Sequence, residues 1–147
     1  MNARLRILFV CNHANACVRF QKSLERERCQ LLFAANREKA AKTLLSASGV
    51  DAILIHHNDL LRGSTIASGL KLIRPSLPVF LLTASWPSTG ALPLGIDAVC
   101  YAATLNRRVA YDVTRFIRRL LTETPRRMLD EPELGHRLTP RGSNYLN

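Results

Sequence analysis

Short apolar runs alternate with amphipathic stretches along most of this chain, and that alternation predicts its elements. Leu5 to Cys11 (LRILFVC) is an apolar run of strand length, the pattern of a strand buried on both faces. From Ala14 to Arg28 the pattern turns helical, with Cys17, Val18 and Leu24 on an apolar stripe and Arg19, Lys22, Glu25, Arg26 and Arg28 outside it. Cys29 to Ala35 (CQLLFAA) predicts a second short strand. Asn36 is suited to cap the next helix, which has Glu38 in its first turn, buries Ala40, Ala41, Leu44 and Leu45, and is closed by Gly49. Asp51 to His57 (DAILIHH) predicts a third buried strand, followed by a helix through Ile66, Leu70 and Ile73 that Pro75 ends. Pro78 to Ala84 (PVFLLTA) and Asp97 to Ala103 (DAVCYAA) predict the fourth and fifth strands. Between them, Trp86, Pro87, Gly90 and Pro93 allow only a short or irregular helix. Leu105, Val109, Val113, Phe116, Ile117 and Leu120 then recur at helical spacing, with arginines on the opposite face.

Five apolar strands alternating with amphipathic helices specify an α/β fold, a doubly wound parallel sheet covered on both sides. Right-handed crossovers leave few topologies, and ligands of such folds bind at the carboxyl ends of the strands. The expected organisation is one domain over residues 1–121 and a tail over 122–147, flexible or docked. Pro125, Pro132, Gly135, Pro140 and Gly142 interrupt that tail, with one docked turn expected around Met128 and Leu129.

Composition narrows the function classes. An apolar fraction of 47% over 147 residues is that of an ordinary globular protein able to bury a core. No apolar run reaches the roughly 18 residues of a membrane span. The basic start before Leu5 imitates a secretory signal, but the stretch from Leu5 to Cys11 holds only six apolar residues, with Arg6 among them, where about 7–15 are needed. A cytoplasmic protein is therefore expected. Cys11, Cys17, Cys29 and Cys100 form no CxxC or zinc-ribbon spacing, so free thiols in a reducing compartment are expected. The net charge is +10, spread along the chain except between Asn106 and Leu121, where five arginines face Asp112 alone. Those arginines, Arg107, Arg108, Arg115, Arg118 and Arg119, are either an interaction face or a solvated helix surface. A DNA-binding output domain is not expected, since the 26 residues after Leu121 cannot build a helix-turn-helix with its own core.

The phrases RILFVC, FAANREKAAKTLL before DAILI, IRPSLPVFLLTA and GIDAVCY, with the order and length of the elements, make Leu5 to Leu121 resemble the CheY-like receiver domain of response regulators. The resemblance implies a flavodoxin-like sheet in the order 2-1-3-4-5. It also implies a pocket in which an acidic pair binds Mg²⁺, an aspartate ending the third strand accepts a phosphoryl group from a histidine kinase, and a hydroxyl and a lysine contact the phosphoryl oxygens. This sequence departs from that set. Cys11 and Asn12 stand at the acidic pair, His56 at the acceptor, Ala102 at the lysine, Ala103 at the following proline and Val99 at the aromatic switch; only Thr83 keeps its hydroxyl. A thiol and an amide are poor Mg²⁺ ligands, and without the lysine a phosphate would lack its usual counter-charge. The leading expectation is a stand-alone degenerate receiver that signals by protein contact without aspartyl phosphorylation, with no catalytic residue, cofactor or metal.

Other readings share these residues. His56 is a candidate phosphoryl acceptor or metal ligand, against the expected role of a hydrogen-bonded polar residue in the space of an aspartate. His57 is expected on the opposite face by strand alternation. Cys11, His13 and His56 would meet if the first and third strands are neighbours, a donor set for a soft metal such as Zn²⁺ with no spacing motif behind it. Asp59 is expected in a loop or cap. A regulator phosphorylated on an unusual acceptor is the second reading. The third is a cysteine-dependent enzyme, because ILFVCNHANACVR resembles the phosphate loop of low-molecular-weight tyrosine phosphatases and arsenate reductases. That loop needs five residues between Cys and Arg, whereas seven separate Cys11 from Arg19, and no downstream Asp-Pro pair supplies an acid. Expected partners are a histidine kinase or another signalling protein, or a second copy of the chain, with nucleic acid and membrane not expected.

Overall fold

The computed structural model describes residues 4–85 and 90–130. Its elements are β1 (Leu5–Cys11), α1 (Ala14–Arg26), β2 (Cys29–Ala34), α2 (Arg37–Ser46), β3 (Ala52–His56), α3 (Leu60–Ile73), β4 (Val79–Thr83), β5 (Ala98–Tyr101) and α4 (Arg107–Asp130). The five strands form one parallel sheet in the order β2-β1-β3-β4-β5. This is the expected flavodoxin-like architecture.

Strand alternation sorts the core into two layers. Ile7, Phe9, Cys11, Leu54, Phe80, Leu82 and Cys100 face α1 and α4, where Phe20, Leu24, Val113 and Ile117 meet them. Leu8, Val10, Ile53, Ile55, Val79, Leu81 and Val99 face α2 and α3, against Ala40, Leu44, Ala67 and Leu70. Because both faces are covered, β1, β3 and β4 are buried at nearly every position. Each fully buried Leu, Ile or Phe contributes about 1.5–3 kcal/mol of transfer free energy. The edge strand β2 is buried only at its two ends.

Polar side chains fasten the element ends. Asn36 caps α2 as expected, its Oδ1 accepting from the Lys39 amide at 2.9 Å. Asp97 lies just before β5, where it accepts from the Val79 amide and pairs with Lys71, each at 2.7 Å. Arg74 Nη2 donates to the carbonyls of Leu44 and Ala47, binding the end of α3 to that of α2.

Several details differ from the sequence reading. Val18 and Leu45 are exposed, and Phe20 takes the buried place on α1. Val18 and Leu45 each lie one position outside the arc their helix turns to the sheet. The helix α2 ends at Ser46 with an extended Ala47, so Gly49 (φ +76°) shapes the loop into β3 and does not close the helix. The last helix runs through Asp130, nine residues past the expected domain end at Leu121. Pro125 removes one backbone donor but does not stop it. The rest of the expected tail, like Trp86 and Pro87, lies outside the described residues. No helix among the described residues is long and apolar enough to cross a membrane.

Gly95 has φ +83°, and a Cβ there would stand 2.8 Å from the Ser68 backbone nitrogen. Gly49 has a similar φ, but a Cβ would meet the flexible end of Arg6. Gly49→Ala is expected to cost the roughly 1–2 kcal/mol of a left-handed Cβ. Gly95→Ala must cost more, because α3 has to shift. Urea unfolding midpoints of the two variants, compared with wild type, check the ranking.

Candidate functional site

The carboxyl ends of the strands gather on one edge of the sheet, and β1 and β3 are neighbours there. Their register sets Cys11 beside His56. Both point toward α1, because they continue the alternation of Ile7, Phe9 and Ala52, Leu54. The Cys11 sulfur lies 3.4 Å from His56 Nδ1, and both residues are buried.

The helix α1 begins only three residues after Cys11, so Cys17 falls within its first turn or so. Helical Cα–Cβ bonds tilt toward the N-terminus, which carries the Cys17 side chain back over the end of β1. There the structure joins Cys11 and Cys17 in a disulfide, with a Cα separation of 6.6 Å. This corrects the expectation of four free thiols, which rested on linear spacing. Cys29 and Cys100 do remain free and buried. Desolvation pushes the Cys29 thiol up to about 11 and Cys100 up to about 12, so neither is a thiolate near neutrality.

Ligand atoms of Cys11, Cys17 and His56 lie within 4.8 Å of one another. The sequence pattern groups Cys11 and His56 with His13; the structure adds Cys17 to them. His13 is exposed, its ring 6.1 Å from that of His56 and set edge-on to it. The available signal for Cys17 was its place on the apolar stripe, one turn into a helix that follows β1 directly.

No carboxylate lines this edge among the described residues. The groove over it is bordered by Asn12, His13, Arg19, His56, Asn58 and Thr104. Asp59, the nearest acid in sequence after His56, caps α3 as expected, its Oδ1 accepting from the Leu61 and Arg62 amides at 3.0 and 3.2 Å. The Mg²⁺ that the receiver resemblance implies therefore does not fit, since that cation is held by carboxylate oxygens and this edge offers sulfur, imidazole and neutral amide and hydroxyl groups. Thr83 is fully buried and its Oγ1 accepts from the Ser85 amide at 3.1 Å, a strand-end role. Ala102 is buried and donates its amide to the Thr83 carbonyl at 2.9 Å. Val99 lies in the α2 and α3 layer. His57, beyond the end of β3, lines a small cavity of about 110 Å³ with Ala35, Asn36 and Ile66, and its Nδ1 accepts from the Asp59 amide at 3.0 Å.

The five arginines of α4 share about a third of the helix circumference, opposite the buried Val113, Ile117 and Leu120. They have different local partners. Arg118 donates to the Arg28 carbonyl at 3.0 Å and ties α4 to the turn before β2. Arg108 pairs with Asp112 at 3.1 Å, and Arg115 donates to the Tyr111 hydroxyl at 3.0 Å. The Arg119 guanidinium lies over the Phe116 ring. Arg107, Arg108, Arg115 and Arg119 are exposed.

No protein-family model matches the sequence, and no curated protein sequence matches it. Solved structures do resemble the fold. The chemotaxis response regulator CheY4 of Vibrio cholerae aligns with a TM-score of 0.65 and 13% identity, over 78% of this chain and 98% of that one. A CheY-like receiver domain protein from Methanospirillum hungatei aligns at 0.66 and 20% identity, over 83% and 97%. The signal receiver domain of an HD domain-containing protein from Pseudomonas fluorescens aligns at 0.64 and 22% identity, over 84% and 94%. At these identities the likeness shows that the chain has the CheY-like receiver fold.

Burial, with smaller contributions from His13 and His57, pushes the His56 imidazole down from 6.5 to about 4. The folded state thus refuses a proton that the unfolded chain accepts below 6.5. Stability is expected to fall as pH drops from about 6.5 to 4, with a slope bounded by about 1.4 kcal/mol per pH unit for this one group. His57, also shifted down by burial, adds in the same direction. Urea midpoints across that window check this, with His56→Asn expected to have the shallower slope.

Proposed function

We propose that this chain is a receiver-fold signalling module that works by protein–protein contact and is not phosphorylated on aspartate. The observation that carries the reading is the composition of the strand-end edge. Cys11, Asn12, His56 and Ala102 stand where metal ligands, acceptor and lysine would be, and Asp59 is engaged as the α3 cap. Phosphotransfer to a carboxylate needs a divalent cation and a lysine to offset the charge crowded around the phosphoryl group. The side chains at this edge supply neither.

What remains available for signalling is surface. Receivers commonly dock partners through the last strand and the helices beside it. Here the exposed Arg107, Arg108, Arg115 and Arg119 give that side a positive face, suited to an acidic patch on a signalling protein. Homodimerisation through the same side would set these arginines against one another unless they interleave with acids.

Two features weigh against the cysteine-phosphatase reading. Cys11 is buried and joined to Cys17, and α1 begins at Ala14, leaving no open loop whose amides could surround a phosphate between Cys11 and Arg19.

After incubation with acetyl phosphate and Mg²⁺, the intact mass is expected to be unchanged. Addition of one phosphoryl group would overturn the proposal in favour of a regulator with an unusual acceptor. Millimolar Mg²⁺ is likewise expected to leave the melting temperature unmoved, because a ligand held only by the native state must raise it. Hydrolysis of an aryl phosphate that vanishes in Cys11→Ser would replace the proposal with the enzyme reading.

A further inference from the structure

Two sulfurs and an imidazole meet at one buried point of the sheet edge, and protein–protein signalling requires none of them. They come from three elements, β1, α1 and β3, each fixed by core packing. We propose that Cys11 and Cys17 in their reduced form, together with His56, bind one borderline-soft divalent cation of the Zn²⁺ type.

Thiolate and imidazole are the donors such a cation prefers, and Mg²⁺ and Ca²⁺ are selected against by the same chemistry. The three ligand atoms already lie within 4.8 Å of one another. Tetrahedral bonds of about 2.3 Å would hold the two sulfurs roughly 3.8 Å apart. A Cα separation of 6.6 Å accommodates that with side-chain rotation alone. His56 itself lines the groove bordered by Asn12, His13, Arg19 and Asn58, from which water, an anion or the exposed His13 would complete the shell. The disulfide and the metal complex exclude each other. A phosphine reductant converts one to the other: the S–S bond gains two electrons and two protons, and the phosphine takes oxygen from water. The thiols then lose their protons on binding.

This inference stands apart from the absence of phosphorylation, since the acetyl phosphate experiment reads an added mass and the metal titration reads bound cation. The test is titration of Co²⁺ into the full chain, reduced with a phosphine under anaerobic conditions. The expected result is one ion per chain with a near-ultraviolet thiolate-to-cobalt band, displaced by Zn²⁺. Cys17→Ser is expected to weaken binding by more than about 100-fold and His56→Phe by at least about 10-fold, first-coordination losses exceeding those of outer contacts. Should either variant fail to fold, wild-type protein still decides: Zn²⁺ is expected to slow alkylation of Cys11 and Cys17 more than that of Cys29 and Cys100. Absence of the band, binding that survives in a folded Cys17→Ser, or alkylation rates indifferent to Zn²⁺ would each overturn the proposal.

Discussion

Parallel pairing of β1 with β3 is the constraint on which the rest of the molecule depends. Parallel neighbours must be joined by crossovers long enough to return the chain to the same end of the sheet, and here helices do that on both faces. All five strands therefore finish on one edge. The register that seats Ile7 by Ala52 and Phe9 by Leu54 also seats Cys11 by His56, so the packing that buries the sheet positions the candidate site. A slip of one residue would turn Phe9 and Leu54 out of their layer, which is why the register is secure.

Given that geometry, the chemistry of the edge follows from which side chains occupy it. In a receiver, the same positions would concentrate negative charge that only a cation and a lysine can balance. Here they hold neutral groups. Burial keeps the His56 imidazole uncharged, Thr83 and Ala102 serve the backbone at the ends of β4 and β5, and the acid nearest to His56 along the chain is committed to a helix cap. What the edge retains is soft donor character from two sulfurs and a ring nitrogen.

The final helix shows how one amphipathic element divides its work. Its apolar side completes the layer under α1, with Phe116 edge-on to Phe80. Its basic side is not uniform: Arg118 is spent on a main-chain carbonyl of the turn before β2, while Arg107, Arg108, Arg115 and Arg119 stay in solvent. The Arg108–Asp112 pair, with the guanidinium in solvent, is expected to contribute under about 1 kcal/mol, so the helix is held mainly by its apolar side.

The order of elements, the parallel sheet, the caps at Asn36 and Asp59 and the closeness of Cys11 to His56 were all legible in the sequence. Each follows from local rules: apolar runs of strand length, helical periodicity, cap chemistry and the adjacency of the first and third strands. The helix ends were less legible, because Gly49 and Pro125 mark propensities that packing and hydrogen bonding override. Cys17 was legible only as a buried position on the apolar stripe of α1, not as a neighbour of Cys11. Its distance from Cys11 depends on how sharply the chain turns from β1 into α1 and on the tilt of one Cα–Cβ bond, neither of which linear spacing records. The sequence by itself determined the fold and put Cys11, Asn12 and His56, none of them a carboxylate, at the strand ends; only tertiary structure decided that a second sulfur closes on the first beside a buried histidine.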